Sequence, residues 1–267
     1  MQVSQLFYYP VKSLGSVSVQ SMRVTDWGPH RDRRMMLVDA NGKFVTQRQC
    51  HLMSLIRVED SGHQIRFILG ERYFDLPWPD FAATGGDSLA VTVWDDSVAA
   101  RSVSKAADAW FSDVMQRDVR LVLVGEETLR QVDLAYARQG DKTGFSDGFP
   151  FLLISEASLL ALQSHLPFEL SMTRFRPNLV VSGCEPFAED RWRRIAINGI
   201  EFEIVKPCSR CVIPTLNPVD GVKQPEVMKV LLEHRKQGNQ VFVGQNVIHR
   251  AEGEIAVGMS VEVLESI

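Results

Sequence analysis

The hydrophobic and polar positions of the first ~95 residues form short segments that are typical of β-strands. LFYYPVKSL, VSVQSMRVTDWG and HQIRFILG are each rich in β-branched or aromatic residues, which favour the pleated surface of a sheet. The dipeptides Asn41-Gly42 and Ser61-Gly62 are turn signals between such segments, and the first predicts a tight hairpin over residues 39–42. The pattern therefore predicts a β-rich N-terminal half.

Three segments instead have the spacing of helices. In SKAADAWFSDV, residues 104–114, the apolar side chains recur on one helical face, and Ser104 is a suitable N-cap. Ser155 is placed in the same way after the apolar run FPFLLI. A third helix is predicted over residues 225–237, with Pro225 in its first turn.

The rest of the second half is predicted to form strands, namely NLVVSG, WRRIAINGIEFEIVKP, VFVGQNVIH and AVGMSVEVLE. Residues 131–147 are polar and contain glycine, which predicts a loop. Many short strands with few helices indicate a mainly β fold with some α-helix, of the α+β class. Two β-barrel-like units fit this order better than a doubly wound sheet does.

Length, charge and composition argue against several classes of protein. The chain has 267 residues, which is enough for two domains, and its formal net charge of −4 argues against a general nucleic-acid binder. No run of ~18 apolar residues occurs, so no membrane span is predicted. The N-terminus has no secretory pattern, which predicts a cytoplasmic protein. In that compartment cysteines are more often ligands or redox groups than disulfides.

The sharpest local motif is KPCSRCVIPTLNP, in which Cys208 and Cys211 lie three positions apart. Arg210 and Lys206 are close in sequence, and positive charge favours the thiolate that binds soft metals. Three other interpretations remain open, namely a structural zinc site, a redox-active dithiol, and two buried inert cysteines. Zinc would need four ligands, and the other two cysteines are isolated.

Two more motifs carry polar groups at strand ends. FRPNLVVSGC places Arg176 and Asn178 before an apolar strand, and YYPVKSLG places Lys12 and Ser13 before a glycine. Arg offers a planar fork suited to phosphate. Taken singly, these residues could equally be a surface arginine, a turn asparagine and a solvated lysine. A run of arginines, normally a solvated face, follows: Arg31, Arg33, Arg34 and Arg48.

The order of the motifs is more specific than any one of them. YYPVKS, RDRRMMLVD, FVTQRQ, FSDGFPFLLISEASL, FRPNLVVSGC, AEDRW, PCSRC and FVGQNV follow one another along nearly the whole chain. This series resembles the MOSC family, the molybdenum-cofactor-sulfurase C-terminal domain proteins, in its two-domain branch of amidoxime-reducing components and their bacterial relatives. The resemblance implies an N-terminal MOSC-associated β-barrel domain over residues 1–121 and a MOSC β-barrel domain over residues 122–267.

The resemblance also implies a site. Cys211 would be the catalytic cysteine and the protein ligand of the molybdenum cofactor (Mo-molybdopterin), whereas Cys208 would not be a ligand. Gly148 stands where relatives often carry Thr or Ser, and Asn246 where some carry an aromatic residue. The residues that would bind the cofactor are Lys12, Ser13, Arg33, Asp147, Gly148, Arg176, Asn178, Ser209, Arg210 and Asn246. The basic ones would compensate the charge of an anionic cofactor.

The implied reaction is the reductive cleavage of N–O bonds in N-hydroxylated compounds. The C-x₄-C-x₂-C run of a plant-type ferredoxin domain is absent from the sequence, so a separate flavin or iron–sulfur reductase is expected to supply electrons. An alternative is a carrier of molybdenum cofactor or sulfane sulfur that uses Cys211 without reducing N–O bonds. Binding of pyridoxal phosphate is a weaker alternative, since it would need a Schiff-base lysine such as Lys12 or Lys206.

Overall fold

The computed structural model describes residues 1–83 and 87–267, and these residues form mostly β-structure. The strands of the first half are β1 (Gln2–Tyr8), β2 (Val17–Val19), β3 (Ser21–Thr25), β4 (Gly28–Pro29), β5 (Met35–Val38), β6 (Arg57–Asp60), β7 (Gln64–Leu69), β8 (Arg72–Pro77), β9 (Ser88–Val93), β10 (Asp96–Ser102) and β11 (Arg120–Leu123). The strands of the second half are β12 (Phe151–Ser155), β13 (Leu179–Ser182), β14 (Trp192–Ile197), β15 (Ile200–Ser209), β16 (Lys236–Gln237), β17 (Gln240–His249), β18 (Gly253–Ala256) and β19 (Val261–Ser266). The α-helices are α1 (Lys105–Met115), α2 (Glu156–Gln163) and α3 (Pro225–Arg235). Short 3₁₀ helices cover His51–Leu55, Met172–Arg174, Ala188–Arg191 and Ile213–Thr215.

The largest sheet joins the two ends of the chain. Its strand order is β19-β14-β15-β17-β12-β13-β1-β2, and β16 also pairs with β17. Strand β1 pairs antiparallel with β13, so the first strand of the chain lies in a sheet built mainly by the second half. Strands β12 and β13 are parallel, and α2 supplies the crossover that such a pair requires. One face of this sheet packs against α2 and α3.

Seven of the remaining strands of the first half form two smaller sheets around α1. One sheet has the order β5-β11-β10-β9 and the other β6-β7-β8. The fully buried side chains of Phe67 and Phe111 meet edge to face, with ring centroids 5.0 Å apart, and so connect β7 to α1. A third small sheet pairs β18 with β3. The two halves of the chain therefore share strands as well as side-chain contacts.

The helix boundaries follow from their caps. Ser104 and Ser155 accept hydrogen bonds from the backbone N–H of Ala107 and Ser158 as predicted, and thus begin α1 and α2. The third helix ends at Arg235, so the prediction of a helix to residue 237 is wrong. The next two residues are extended and pair with β17, since this pairing satisfies their backbone groups better than another helical turn.

The predicted mainly β, α+β fold class is confirmed. The chain turns over residues 39–42 as predicted, but the second arm contributes only an isolated bridge between Val38 and Phe44 rather than a strand. Strand β11 crosses the proposed boundary between residues 121 and 122, and that boundary stays a prediction. No helix in the described part of the chain is long and apolar enough to cross a bilayer.

Candidate functional site: a basic cleft beside Cys211

A cleft lies where segments of the first half meet the edge of the large sheet. Its walls are formed by the segments that follow β1 and that precede β5, β12 and β13, together with the end of β15. All eleven residues named from the sequence line this one cleft: Lys12, Ser13, Arg33, Asp147, Gly148, Arg176, Asn178, Ser209, Arg210, Cys211 and Asn246. Tertiary structure therefore brings together groups that are up to 234 residues apart in the chain.

The two motif cysteines occupy different environments. Cys211 follows β15 and is exposed, whereas Cys208 is half-buried. Arg210 donates a hydrogen bond from Nη1 to Cys208 Sγ at 3.0 Å and another from Nη2 to the Phe175 carbonyl oxygen at 2.7 Å. Both cysteines line the cleft, but Cys211 is the more exposed of the two, and the interpretation of two buried, inert cysteines does not hold for it.

Arg33 is held by a buried carboxylate that the sequence motifs did not single out. Its Nη1 donates to Asp32 Oδ2 at 2.7 Å. Asp32 is 5% exposed, and its Oδ1 accepts from the Tyr9 backbone N–H at 2.8 Å. Burial lowers the pKa of Arg33, but Asp32 outweighs this effect and the pKa lies above its usual value. Asp32 therefore fixes a charged guanidinium in the cleft wall.

Asn178 is fully buried, and its side chain is occupied by the protein. Its Nδ2 donates to the Phe7 carbonyl oxygen at 3.1 Å and to Asp32 Oδ1 at 3.0 Å. Its Oδ1 accepts from Arg33 Nη1 at 3.1 Å and from the Leu152 backbone N–H at 3.2 Å. Two donors and two lone pairs are the whole capacity of a carboxamide. The geometry thus suits Asn178 to positioning Arg33 better than to contacting a ligand.

Arg176 and Arg33 flank one aromatic ring. Their guanidinium carbons lie 4.1 Å and 4.4 Å from the ring centroid of Tyr9. Arg176 Nη1 donates to the Leu14 carbonyl oxygen at 2.7 Å, while its buried Nη2 has no partner among the described residues. Burial, followed by the charge of Arg33, lowers the pKa of Arg176 to about 10. Two half-buried like charges with an unused donor are suited to binding an anion.

Three residues that line the cleft have a strained backbone. Ser13, Arg33 and Arg176 have φ angles of 66°, 46° and 59°, in the left-handed region that non-glycine residues seldom occupy. Such conformations cost ~1–3 kcal/mol each and cluster at functional sites. The fold therefore accepts a local energetic cost to direct these three residues into the cleft.

Lys12 and Asp147 form an ion pair at the cleft rim. Lys12 is 4% exposed, and its Nζ donates to the Phe145 carbonyl oxygen at 2.8 Å and to Asp147 Oδ1 at 2.5 Å. Burial lowers the pKa of Lys12 to about 8, although Asp147 opposes this shift. Loss of hydration raises the pKa of Asp147, but Lys12 outweighs it and holds that pKa well below its usual range. Both groups are therefore charged at neutral pH.

Sequence comparison agrees with the geometry. Residues 1–118 match the family model of the MOSC N-terminal beta barrel domain, and residues 140–262 match that of the MOSC domain. The chain belongs to the MOSC family. It is 31% identical to human mitochondrial amidoxime-reducing component 1 over 98% of this chain and 82% of that protein. The mouse protein of the same name is 32% identical over 87% of this chain and 71% of its own length.

A second kind of relative is a longer protein. The molybdenum cofactor sulfurase of Caenorhabditis elegans is 29% identical over 90% of this chain, but the match spans only 32% of the sulfurase. The family relationship therefore connects this MOSC chain to proteins with two different names, and the sequence match alone does not choose between their activities.

The cleft of this MOSC chain offers the thiols of Cys208 and Cys211 and several cations rather than a metal cage. Within residues 1–83 and 87–267, no three His, Cys, Asp or Glu side chains are grouped to hold a metal ion. A metal at Cys211 would thus take most of its ligands from a cofactor. Two of the residues that line the cleft, Arg176 and Arg210, each carry a buried donor, Nη2 and Nε respectively, that has no partner in the part of the chain that the structure describes. The donor set therefore fits an anionic metal cofactor.

The dithiol, zinc and pyridoxal phosphate interpretations fit the structure less well. After Cys211 the chain enters the 3₁₀ helix Ile213–Thr215, whereas a thioredoxin-like dithiol would open an α-helix in a βα unit. Structural zinc would need four grouped ligands. Of the two lysines considered for pyridoxal phosphate, Lys12 is engaged with Asp147, and Lys206 lies outside the cleft over the ring of Tyr136 at 4.5 Å.

The cleft wall has space for a side chain at Gly148. A Cβ atom added there would meet no heavy atom within 4 Å, and the backbone is not in the left-handed region. We expect Gly148→Ser to leave the melting temperature unchanged, because surface changes of this kind are usually within ~0.5 kcal/mol. A melting curve tests this, and a Gly144→Ser variant is the matched control. At Gly144 the added Cβ would lie 2.5 Å from the Arg33 carbonyl oxygen, so that variant should be destabilised.

Sequence reasoning assigned no role in the site to two charged groups, Arg48 and Asp32. Arg48 lines the cleft and lies over the Trp94 ring at 4.3 Å, and Asp32 holds Arg33 from behind. Both stand inside the motifs that were recognised, FVTQRQ and RDRRMMLVD. Their position in those motifs was the available signal, since a charge run by itself indicates a solvated face.

Proposed function

We propose that this MOSC protein is a molybdenum-cofactor-dependent oxidoreductase that reduces N-hydroxylated compounds. One observation carries the proposal, namely the exposed thiol of Cys211 at a cleft whose walls bear Lys12, Arg33, Arg176 and Arg210. A soft thiolate suits molybdenum, and fork-shaped cations suit a phosphate-bearing cofactor. The amidoxime-reducing names of its relatives support the choice of reaction.

Each part of the cleft has a task under this proposal. The Cys211 thiolate would hold the metal, while Arg33 and Arg176, braced on Tyr9, would bind the anionic part of the cofactor. The bound cofactor would supply two-electron redox chemistry, and the protein would orient it. Reduction of N–OH to N–H consumes two electrons and two protons and releases water. We infer that a separate flavin or iron–sulfur reductase supplies the electrons.

Metal analysis and a turnover assay test the proposal together. The protein is made in a host that synthesises the cofactor, and its molybdenum content is measured. The loaded protein is then combined with a reductase, and the reduction of benzamidoxime and 6-hydroxylaminopurine is followed. We expect about one molybdenum per chain and turnover of both compounds. Metal-loaded protein without turnover would overturn the proposed reaction.

The sulfurase relative makes a carrier of cofactor or sulfane sulfur the second candidate. Under that alternative the exposed Cys211 would carry sulfur rather than a catalytic metal. Mass spectrometry of the purified protein separates the two, because a persulfide adds one sulfur atom to the peptide that contains Cys211. A persulfide together with absent turnover would favour the carrier.

Cofactor retention should depend on pH through Lys12. As the pH rises through about 8, Lys12 loses its proton and the cleft loses one positive charge, so we expect affinity for the anionic cofactor to fall between pH 7 and pH 9. Molybdenum retained after dialysis across this range measures the effect. Lys12→Arg keeps its charge and should flatten the curve.

Deprotonation of Lys12 does not itself destabilise the fold over this pH interval. The folded-state pKa of Lys12, about 8, lies below its ordinary value of 10.5. The folded protein thus binds fewer protons at this residue, and its contribution to stability increases as the pH rises through this interval. Retention that is independent of pH in the wild type would contradict the role of Lys12.

A further inference from the structure

Trp94 lies in an unexpected position between β9 and β10. These strands pair Val93 with Asp96, so that Trp94 and Asp95 form a two-residue hairpin turn. Such turns favour Gly, Asn or Asp, which tolerate positive φ, yet Trp94 has a φ of 56° and is 40% exposed. A bulky residue is costly in this conformation. The need for a tight turn therefore does not explain a tryptophan here.

The indole of Trp94 is held against the rim of the cofactor cleft. Its Nε1 donates to Asp147 Oδ1 at 3.2 Å, and the Arg48 guanidinium lies 4.3 Å from its ring centroid. The Phe44 ring packs against it with centroids 5.3 Å apart. Asp147 and Arg48 both line the cleft. Trp94 is thus an ordered, partly exposed aromatic surface beside the groups that would surround the cofactor.

A second cavity connects Trp94 to the cleft. Its volume is about 460 Å³, and it shares Asp147, Gly148 and Phe149 with the cleft. Trp94 and the half-buried Phe149 both contribute to its wall, and Phe149 is supported edge to face by Tyr136 at 5.9 Å. Small-molecule pockets usually measure ~300–1,000 Å³. The cavity is therefore large enough for a single aromatic ring with its substituents.

We propose that Trp94 and Phe149 form an aromatic platform that positions planar aromatic N-hydroxylated substrates at the mouth of the cleft. This inference rests on the proposed function and specifies its substrate class. An aromatic ring of the substrate packs on the platform, while its N–OH group points past Asp147 into the cleft. Small aliphatic N-hydroxylated compounds reach the same cleft without this contact. Aromatic pairs contribute enough to change affinity about three- to tenfold.

Kinetics with paired substrates test the platform. Trp94→Ala should raise the KM for benzamidoxime about three- to tenfold, leave the KM for acetamidoxime within about twofold, and leave the molybdenum content unchanged. Trp94→Phe keeps a ring but loses the N–H donor to Asp147, and should remain within about twofold of the wild type for both substrates. Phe149→Leu should repeat the selective loss. Tyr73→Ala removes another exposed aromatic ring on β8 and is the matched control.

Three results would overturn the platform. The two substrates could lose affinity in parallel, Trp94→Phe could behave like Trp94→Ala, or the metal content could fall. The second result would assign the effect to the hydrogen bond with Asp147, and the third would assign Trp94 to the cofactor. Melting curves of all variants identify any loss of affinity that comes from unfolding. If Trp94→Ala is unfolded, the kinetics of Phe149→Leu test the platform instead.

A binding measurement separates this inference from the proposed reaction. Calorimetry on the metal-loaded protein compares benzamidine with acetamidine, which lack the N–OH group and need no turnover. We expect the wild type to bind benzamidine about three- to tenfold more tightly, and Trp94→Ala to remove this preference. If neither amidoxime is reduced while the preference holds, the reaction is wrong and the platform stands. Equal binding of the two amidines by the wild type would refute the platform.

Discussion

Cys211→Ser should abolish molybdenum retention and with it the reduction of N-hydroxylated compounds. The Cys211 thiol is the more exposed of the two thiols that line the cleft, and a serine hydroxyl binds soft metals poorly. Loss of a residue that merely supports a metal ligand typically costs 10–100-fold in affinity or activity, so loss of the ligand itself should exceed about 100-fold. Metal analysis and the benzamidoxime assay on the same preparation measure both effects.

Cys208→Ser is the matched control, three residues away. The Cys208 thiol accepts a hydrogen bond from Arg210 Nη1 at 3.0 Å, and a serine oxygen can accept the same bond. We therefore expect a loss of less than about tenfold in activity, with nearly full metal content. Equal loss in the two variants would contradict the assignment of Cys211 and indicate a dithiol site.

Asp32→Ala should have the largest effect on stability. It leaves the buried guanidinium of Arg33 without its carboxylate and removes the acceptor for the Tyr9 backbone N–H. Removal of one partner of a buried ion pair costs ~3–5 kcal/mol, which is a large part of the ~5–15 kcal/mol that stabilises a typical protein. Urea denaturation should show this loss. Molybdenum retention should fall with it, since Arg33 is no longer held in the cleft wall.

An ion pair on the surface provides the comparison. Asp75 accepts from Arg66 Nε and Nη2 at 2.7 Å each on the β7–β8 hairpin, with both side chains partly exposed. Asp75→Ala removes the same chemical group and should change the urea midpoint only slightly, because solvent screens such pairs. A shift for Asp32→Ala no larger than that for Asp75→Ala would refute the role given to Asp32.

Local rules predicted the secondary structure where capping and periodicity decide it. Ser104 and Ser155 begin α1 and α2 because their side chains satisfy free backbone N–H groups, which is a property of neighbouring residues. The predicted end of α3 was wrong because residues 236 and 237 pair with β17, which follows them only after a turn. Likewise, no periodicity indicated that β1 belongs to the sheet of the second half, since its partner β13 lies more than 170 residues away.

The sequence by itself determined the fold class and the family resemblance, and it predicted Cys211 rather than Cys208 as the metal ligand, because ordered motifs identify positions that spacing cannot. Only the tertiary structure decided how those positions meet. It placed all eleven residues in one cleft, showed that Asn178 is saturated by protein partners, and revealed Asp32 behind Arg33. It also placed Trp94 at the rim. These are contacts between distant segments, and they depend on how β1 enters the large sheet, which local sequence does not encode.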